Sequence, residues 1–225
     1  MVRTSFDKEL ELLHELMIKM AGLVEEAIEK SISSLKKQDI ELARLVYEND
    51  DAIDELEGKI EKICLNLIAR QQPLAKDLRN ISTALKIITD MERIADHASD
   101  IAELVIRMAD MKYVKPLTDI PHMAELAKKM VIKAIDAYTK QDINIAKDVC
   151  DSDDEVDNLF SKIVLELINI MKNAPNTVEQ ATDLMFIVKY LERIGDHATN
   201  IAEWVVFNVT GEHDHLARVN DITKS

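Results

Sequence analysis

Glycine and proline are scarce, four of each in 225 residues, which leaves too little turn chemistry for a β-sheet protein. Four Phe, four Tyr and one Trp give few of the aromatic positions that strands favour. The composition is that of an all-α chain. Cysteine occurs twice, at Cys64 and Cys150, each within a predicted helix and without a CxxC pair. A disulfide framework is thereby excluded, and a reducing compartment, the cytoplasm, is the expected location. Basic charge is also short: 28 Lys and Arg stand against 42 Asp and Glu, a net charge of -14. Nucleic acid and anionic membrane surfaces require basic patches, so neither is an expected direct partner. Cations or a basic protein surface fit better. No run reaches 18 uninterrupted apolar residues, and MVRTSFDKELELLHELM at the N-terminus lacks the apolar stretch of a signal peptide. The expectation is that the chain meets a membrane only through partner proteins.

What is present is a repeat. ERIADHASDIAE, Glu92 to Glu103, returns as ERIGDHATNIAE, Glu192 to Glu203, with nine of twelve positions identical. KQDIELA from Lys37 matches KQDINIA from Lys140, and DDAIDEL from Asp50 matches DDEVDNL from Asp153. These pairs lie 103 residues apart and the first pair 100 apart, which places a three-residue deletion in the connection near Pro175. An indel confined to a helix connection is what duplication of a helical unit leaves.

Apolar residues at three- and four-residue spacing predict helices from Phe6 to about Leu35, Ile40 to about Ile68, and Leu74 to about Met111. The second half repeats the scheme from Leu117 to Lys140, from Asp142 to Lys172, and from Pro175 to about Val209 before Gly211. Asp39 and Asp142 stand where N-caps belong, and Gly211 where a helix would stop. The expected architecture is two tandem antiparallel three-helix bundles, residues 1–112 and 117–210, joined through KYVKP, with a tail at 211–225.

On a helix, Glu92, Asp96 and Asp100 fall within an arc of roughly 80° on one face. The apolar stripe Met91, Ile94, Ala95, Ala98, Ile101, Ala102 and Val105 is centred roughly 200° away, so the acids face outward. The preceding helix turns Ile53, Leu56, Ile60 and Ile63 inward and Asp50, Asp54, Glu57 and Glu61 outward. Antiparallel neighbours would bring Asp50, Asp54, Glu92, Asp96 and Asp100 to one surface site. The second half offers Asp153, Asp157, Glu192, Asp196 and Asn200, with one charge fewer and hence an expectation of weaker or fewer ions. Oxygen-only donors at that density suit hard cations such as iron(III), manganese(II), magnesium or calcium, with room for more than one ion per site. Acidic columns are often just the wet face of a helix, but here they are written twice. His97 and His197 lie at the edge of the columns and are read as outer partners of the carboxylates. Arg93 and Arg193 are candidate phosphate or partner contacts, a salt bridge being the commoner role. The HxH pair His213 and His215 is a weak signal in the tail.

The duplicated plan, DLR at Asp77–Arg79, and the two long motifs with Trp204 after the second resemble the PhoU family of phosphate-transport accessory proteins across nearly the whole chain. The resemblance implies a cytoplasmic negative regulator of phosphate uptake and of the phosphate-starvation response. Its implied partners are the ATPase of the phosphate ABC transporter and the phosphate-sensing histidine kinase. Some members of that family carry multinuclear metal clusters, iron among them, on paired E(D)xxxD motifs. Those motifs fall on Asp50, Asp54, Glu92, Asp96 and Asp100, and on Asp153, Asp157, Glu192, Asp196 and Asn200.

Enzymatic activity is not expected. A di-iron carboxylate oxidase would carry inward-facing Glu-x-x-His from two helices, and ExxH occurs in the helical region only at Glu11–His14. No P-loop or Gly-rich nucleotide loop is present. The remaining alternative is a metal-free helical adaptor whose acidic faces meet basic residues of a partner. Apolar positions exposed on long helices make a homodimer the expected assembly.

Overall fold

The computed structural model describes residues 2–71 and 73–212; His213 and His215 lie outside the described residues. Among the described residues seven α-helices run in order: α1 Val2–Lys37, α2 Ile40–Glu48, α3 Asp51–Gln71, α4 Ala75–Arg107, α5 Asp119–Lys140, α6 Ile143–Asn173 and α7 Val178–Thr210, the last preceded by a 3₁₀ turn at Pro175–Thr177. No strand occurs among the described residues. The starts and stops have the chemistry the sequence proposed. The Asp39 carboxylate accepts from Leu42 N at 3.0 Å, and that of Asp142 accepts from Asn144 N at 2.8 Å, each satisfying an N–H that the first helical turn leaves free. Gly211, at φ 81°, ends α7 in the left-handed region, which costs glycine no Cβ clash.

One predicted helix is two. The segment read as continuous from Ile40 to Ile68 breaks at Asn49–Asp50, between α2 and α3. Asn49 turns its amide back to the Leu45 carbonyl at 2.6 Å, and Ala52 N reaches the Asn49 carbonyl at 3.2 Å, a tightened i→i+3 bond. Short polar side chains compete with the backbone in this way, and Asn49, Asp50 and Asp51 stand in a row. In the second half the corresponding Ser152 bonds back to the Asp148 carbonyl at 2.7 Å, and α6 runs through without a break.

α1 to α4 form one bundle and α5 to α7 the other, and α4 and α7 pack against each other along the seam between them. Their contacts run in opposite directions: Arg79 with Asn208, Asp90 with His197, His97 with Tyr190, and Arg107 with Asp183. The two helices are therefore antiparallel, and His97 and His197, with ring centroids 5.7 Å apart, mark a pseudo-two-fold axis between the halves. Both helices are buried on two sides as a result. Met91, Ile94, Ala98, Ile101 and Ala102 of α4 are fully or almost fully buried, as are Leu191, Ile194, Ala198, Ile201 and Ala202 of α7. The link at 108–118 lies against the bundle ends rather than looping free. Tyr113 OH donates to the Leu35 carbonyl at 2.7 Å and Val114 N to Gln180 Oε1 at 2.6 Å. The buried ammonium of Lys115 pairs with Glu166.

Candidate metal centre

The packing of α3 against α4 decides where the acids go. One carboxylate oxygen from each of Asp54, Glu92 and Asp96 lies within 4.8 Å of the other two. Oxygens sharing one hard cation at 2.0–2.6 Å sit no further apart than about 5 Å, so the trio fits such an ion. Asp50, just before α3, stands beside the trio, near enough for Asp96 and Asp54 to act on its charge. Burial raises its carboxyl to about 6, helped by Asp96 and Asp54 and opposed by the Ser99 hydroxyl. Glu92 is raised to about 7, again first by burial and then by Asp96, against the pull of Arg93. Glu57, one turn on from Asp54, is raised by burial, with Asp54 and Glu61 adding to it. It meets the Thr89 hydroxyl at 3.3 Å. Like charges this close are what a bound cation relieves. The column does not stand on the open wet face that helical phasing implied. Asp54 stays exposed, while Glu92, Asp96 and Asp50 are half-buried in the groove where α3 packs on α4.

The remaining proposed ligands lie elsewhere. Asp100 is turned toward the seam, with His97 Nδ1 at 3.5 Å from its carboxylate. Asn200 donates from its amide to Asp90 Oδ1 at 3.2 Å. The asparagine that the sequence reading counted as a missing charge is thus a cross-seam donor to Asp90. The histidines also belong to the seam. His197 Nδ1 is 2.8 Å from Asp90 Oδ1, and His97 stacks on Tyr190 at 5.4 Å. Asp90 and Tyr190 occupy equivalent positions of the two halves, so the pairs Asp90/Asn200 and Tyr190/Asp100 exchange together across the pseudo-axis. Sequence reasoning passed over Asp90, although this double exchange was there to be seen. Arg93 pairs with Glu92 at 3.3 Å and with Asp96 at 3.0 Å, and Arg193 with Asp196 at 3.3 Å, the salt-bridge role.

In the second half α6 and α7 place Asp153, Asp157, Glu192 and Asp196 near enough to feel one another's charge, but among the described residues no three of them bring carboxylate oxygens within 4.8 Å of one another as Asp54, Glu92 and Asp96 do. Burial raises Asp153 to about 7, with repulsion from Asp157 and then Asp196 adding to it. Asp157 and Asp196 are raised by burial and by Glu192. A Cβ built on Gly195 would lie 3.3 Å from Asp153 Oδ1, so the absent side chain, alanine at position 95, leaves that carboxylate room beside α7. The two cysteines play no part. Burial pushes both thiols up to about 12, far from a reactive thiolate.

The PhoU domain model matches this chain twice, over residues 17–105 and 120–205. The chain belongs to the PhoU family. It is 40% identical over 217 residues to the phosphate-specific transport system accessory protein PhoU homolog of Clostridium acetobutylicum, covering 96% of this chain and 99% of that one. The homolog of the same description from Aquifex aeolicus is 42% identical over 212 residues, 93% and 96% of the two chains. The crystal structure of PhoU from Pseudomonas aeruginosa superimposes with a TM-score of 0.90 at 35% identity, covering 92% of this chain and all of that one. The phosphate transport system regulatory protein PhoU from Streptococcus pneumoniae gives 0.86 at 28% identity, over 93% and 99%. The PhoU architecture of two repeated helical bundles is therefore the architecture of this chain. Among the described residues no helix is long and apolar enough to cross a membrane.

Proposed function

We propose that this PhoU protein is the accessory regulator of a phosphate-specific transport system, holding uptake and the phosphate-starvation response down when phosphate is plentiful. The observation that carries the reading is the near-complete coverage, in both directions, of relatives described as accessory proteins of that system. It acts by contact, through the transporter ATPase and the phosphate-sensing histidine kinase, and not by catalysis. An acidic chain of net charge -14 offers such partners a surface complementary to lysine and arginine, which speeds and orients encounter. In its own host, deletion of the gene should release phosphate-responsive expression in phosphate-replete medium. An unchanged response would sink the assignment.

The groove between α3 and α4 is proposed to hold a hard cation, iron, manganese or magnesium, on Asp54, Glu92 and Asp96, with Asp50 beside them. The metal would neutralise the cluster and brace the two helices. The competing reading, a metal-free adaptor, draws on the pairing of Arg93 with both Glu92 and Asp96, which already supplies one positive charge. Elemental analysis of protein purified without chelators, compared with the Asp96→Ala, Asp196→Ala double variant, separates the two. Bound metal lost with the substitutions supports the first; metal absent, or unaffected by them, supports the second.

A further inference from the structure

The duplicated plan makes each half a control for the other, and the positions that differ around the acidic clusters are few. Glu57 of the first half corresponds to Phe160 of the second, and Thr89 to Lys189. In the first cluster Thr89 and Glu57 meet as hydroxyl and carboxylate, and the cation acting on the group is Arg93. In the second cluster the Lys189 ammonium pairs with Glu192 and lies 5.2 Å from the centre of the Phe160 ring. That ring packs against the core, so it gives the ammonium a fixed rest where the first half has a carboxylate. The Lys189 charge also reaches Asp157 and Asp196. The first half thus sets Asp50, Asp54, Glu57, Glu92 and Asp96 against one permanent cation, Arg93, and the second sets Asp153, Asp157, Glu192 and Asp196 against two, Lys189 and Arg193, with His197 also acting on Asp196.

We infer that Lys189 is a built-in counter-cation of the second cluster, held there by Glu192 and the Phe160 ring, so that the two halves take up metal ions unequally, the first ahead of the second. The inference rests on the metal reading above. An incoming divalent ion in the second half must displace the ammonium from Glu192 or bind beside it, and it finds one donor fewer. The asymmetry comes from the pair Lys189 and Phe160, not from Asn200, which is engaged with Asp90 across the seam.

The test is titration of the chelator-treated full chain with Mn²⁺ by calorimetry, in variants that disable one half at a time. Asp96→Asn leaves the second half to report, and Asp196→Asn the first. The second half should bind Mn²⁺ at least threefold more weakly. Lys189→Thr in the Asp96→Asn background should tighten it by about three- to tenfold, the scale of a released ion pair and a removed repulsion, while Lys189→Arg should leave it weak. The reciprocal Thr89→Lys in the Asp196→Asn background, at an exposed position where folding is not at stake, should weaken the first half by a similar factor. Equal affinities in the two halves, or no response to either lysine change, would overturn the role of Lys189 and leave the metal reading standing. No Mn²⁺ bound by the unsubstituted protein would overturn both.

Discussion

Asp183 is a buried charge at the seam between the halves, paired with Arg107 of the other half. Its side chain is 4% exposed while that of its partner Arg107 is 53% exposed, so the arginine is the half of the pair that still touches water. The guanidinium grips both carboxylate oxygens, Nε lying 3.1 Å from Oδ2, and this bidentate geometry is what makes burial of the acid tolerable. Removing Arg107 strands the carboxylate. Arg107→Ala should cost roughly 2–4 kcal/mol, somewhat under the range for a fully dry pair because the arginine side is hydrated. Thr83 and Phe207 stand at the equivalent positions of the other half, and neither side chain carries a charge. Asp183→Thr added to Arg107→Ala should therefore recover most of the loss. Urea unfolding of the two variants and the parent measures this, and a single variant within 1 kcal/mol of the parent would show that Asp183 is not held by Arg107.

At the scale of elements, the helices and their caps were legible because a 3.6-residue apolar period runs through every long segment and Asp39, Asp142 and Gly211 punctuate it. The outward turn of Glu92 and Asp96 was legible for the same reason. Two things were not. Helical phasing places a residue on a face but does not say what covers that face, and the packing of α3 on α4 made a groove of what read as an open surface. Comparison by identities also discards the positions where the halves differ, and those are where Lys189, Phe160 and Asp90 lie. The break between α2 and α3 was hidden because the apolar period continues across it, although three consecutive Asn and Asp residues mark the spot. That break has a mechanical consequence. Asn49 N reaches the Val46 carbonyl at only 3.3 Å, and Ala52 N the Asn49 carbonyl at 3.2 Å, whereas the equivalent stretch of α6 keeps its full helical ladder. Asp50 sits on the break and Asp54 one turn into α3, so a cation bridging them to α4 should steady this joint. Amide exchange across residues 49–54 should slow when Mn²⁺ is added, by more than across residues 152–157. The same slowing in both segments would show that the break is not what the ion braces.

Across the whole molecule the clustered acids set the pH dependence of stability in the metal-free state. Asp50 is held near 6, and Glu92 and Asp153 near 7, all above the values near 4 that the unfolded chain would show. From about pH 4 to pH 7 the folded protein therefore carries more protons than the unfolded one, and its stability falls as pH rises through that window. Each pKa unit so displaced corresponds to at most about 1.4 kcal/mol, and less here because the groups remain partly hydrated. For a chain of this length 1 kcal/mol moves the melting temperature by roughly 2–4 °C, so chelator-treated protein should melt several degrees lower at pH 7.5 than at pH 5.5. General relief of the net negative charge on acidification acts in the same direction. The Asp50→Asn, Asp153→Asn double variant separates the two contributions, since it should lose a large part of the slope while keeping nearly all of the net charge. Protons and metal compete for the same oxygens, so Mn²⁺ should raise the melting temperature more at pH 7.5 than at pH 5.5. Melting curves at constant ionic strength decide the matter: a metal-free protein whose stability is flat or rises between pH 5.5 and 7.5 would mean that the carboxylates are not crowded in solution as they are in the grooves α3–α4 and α6–α7.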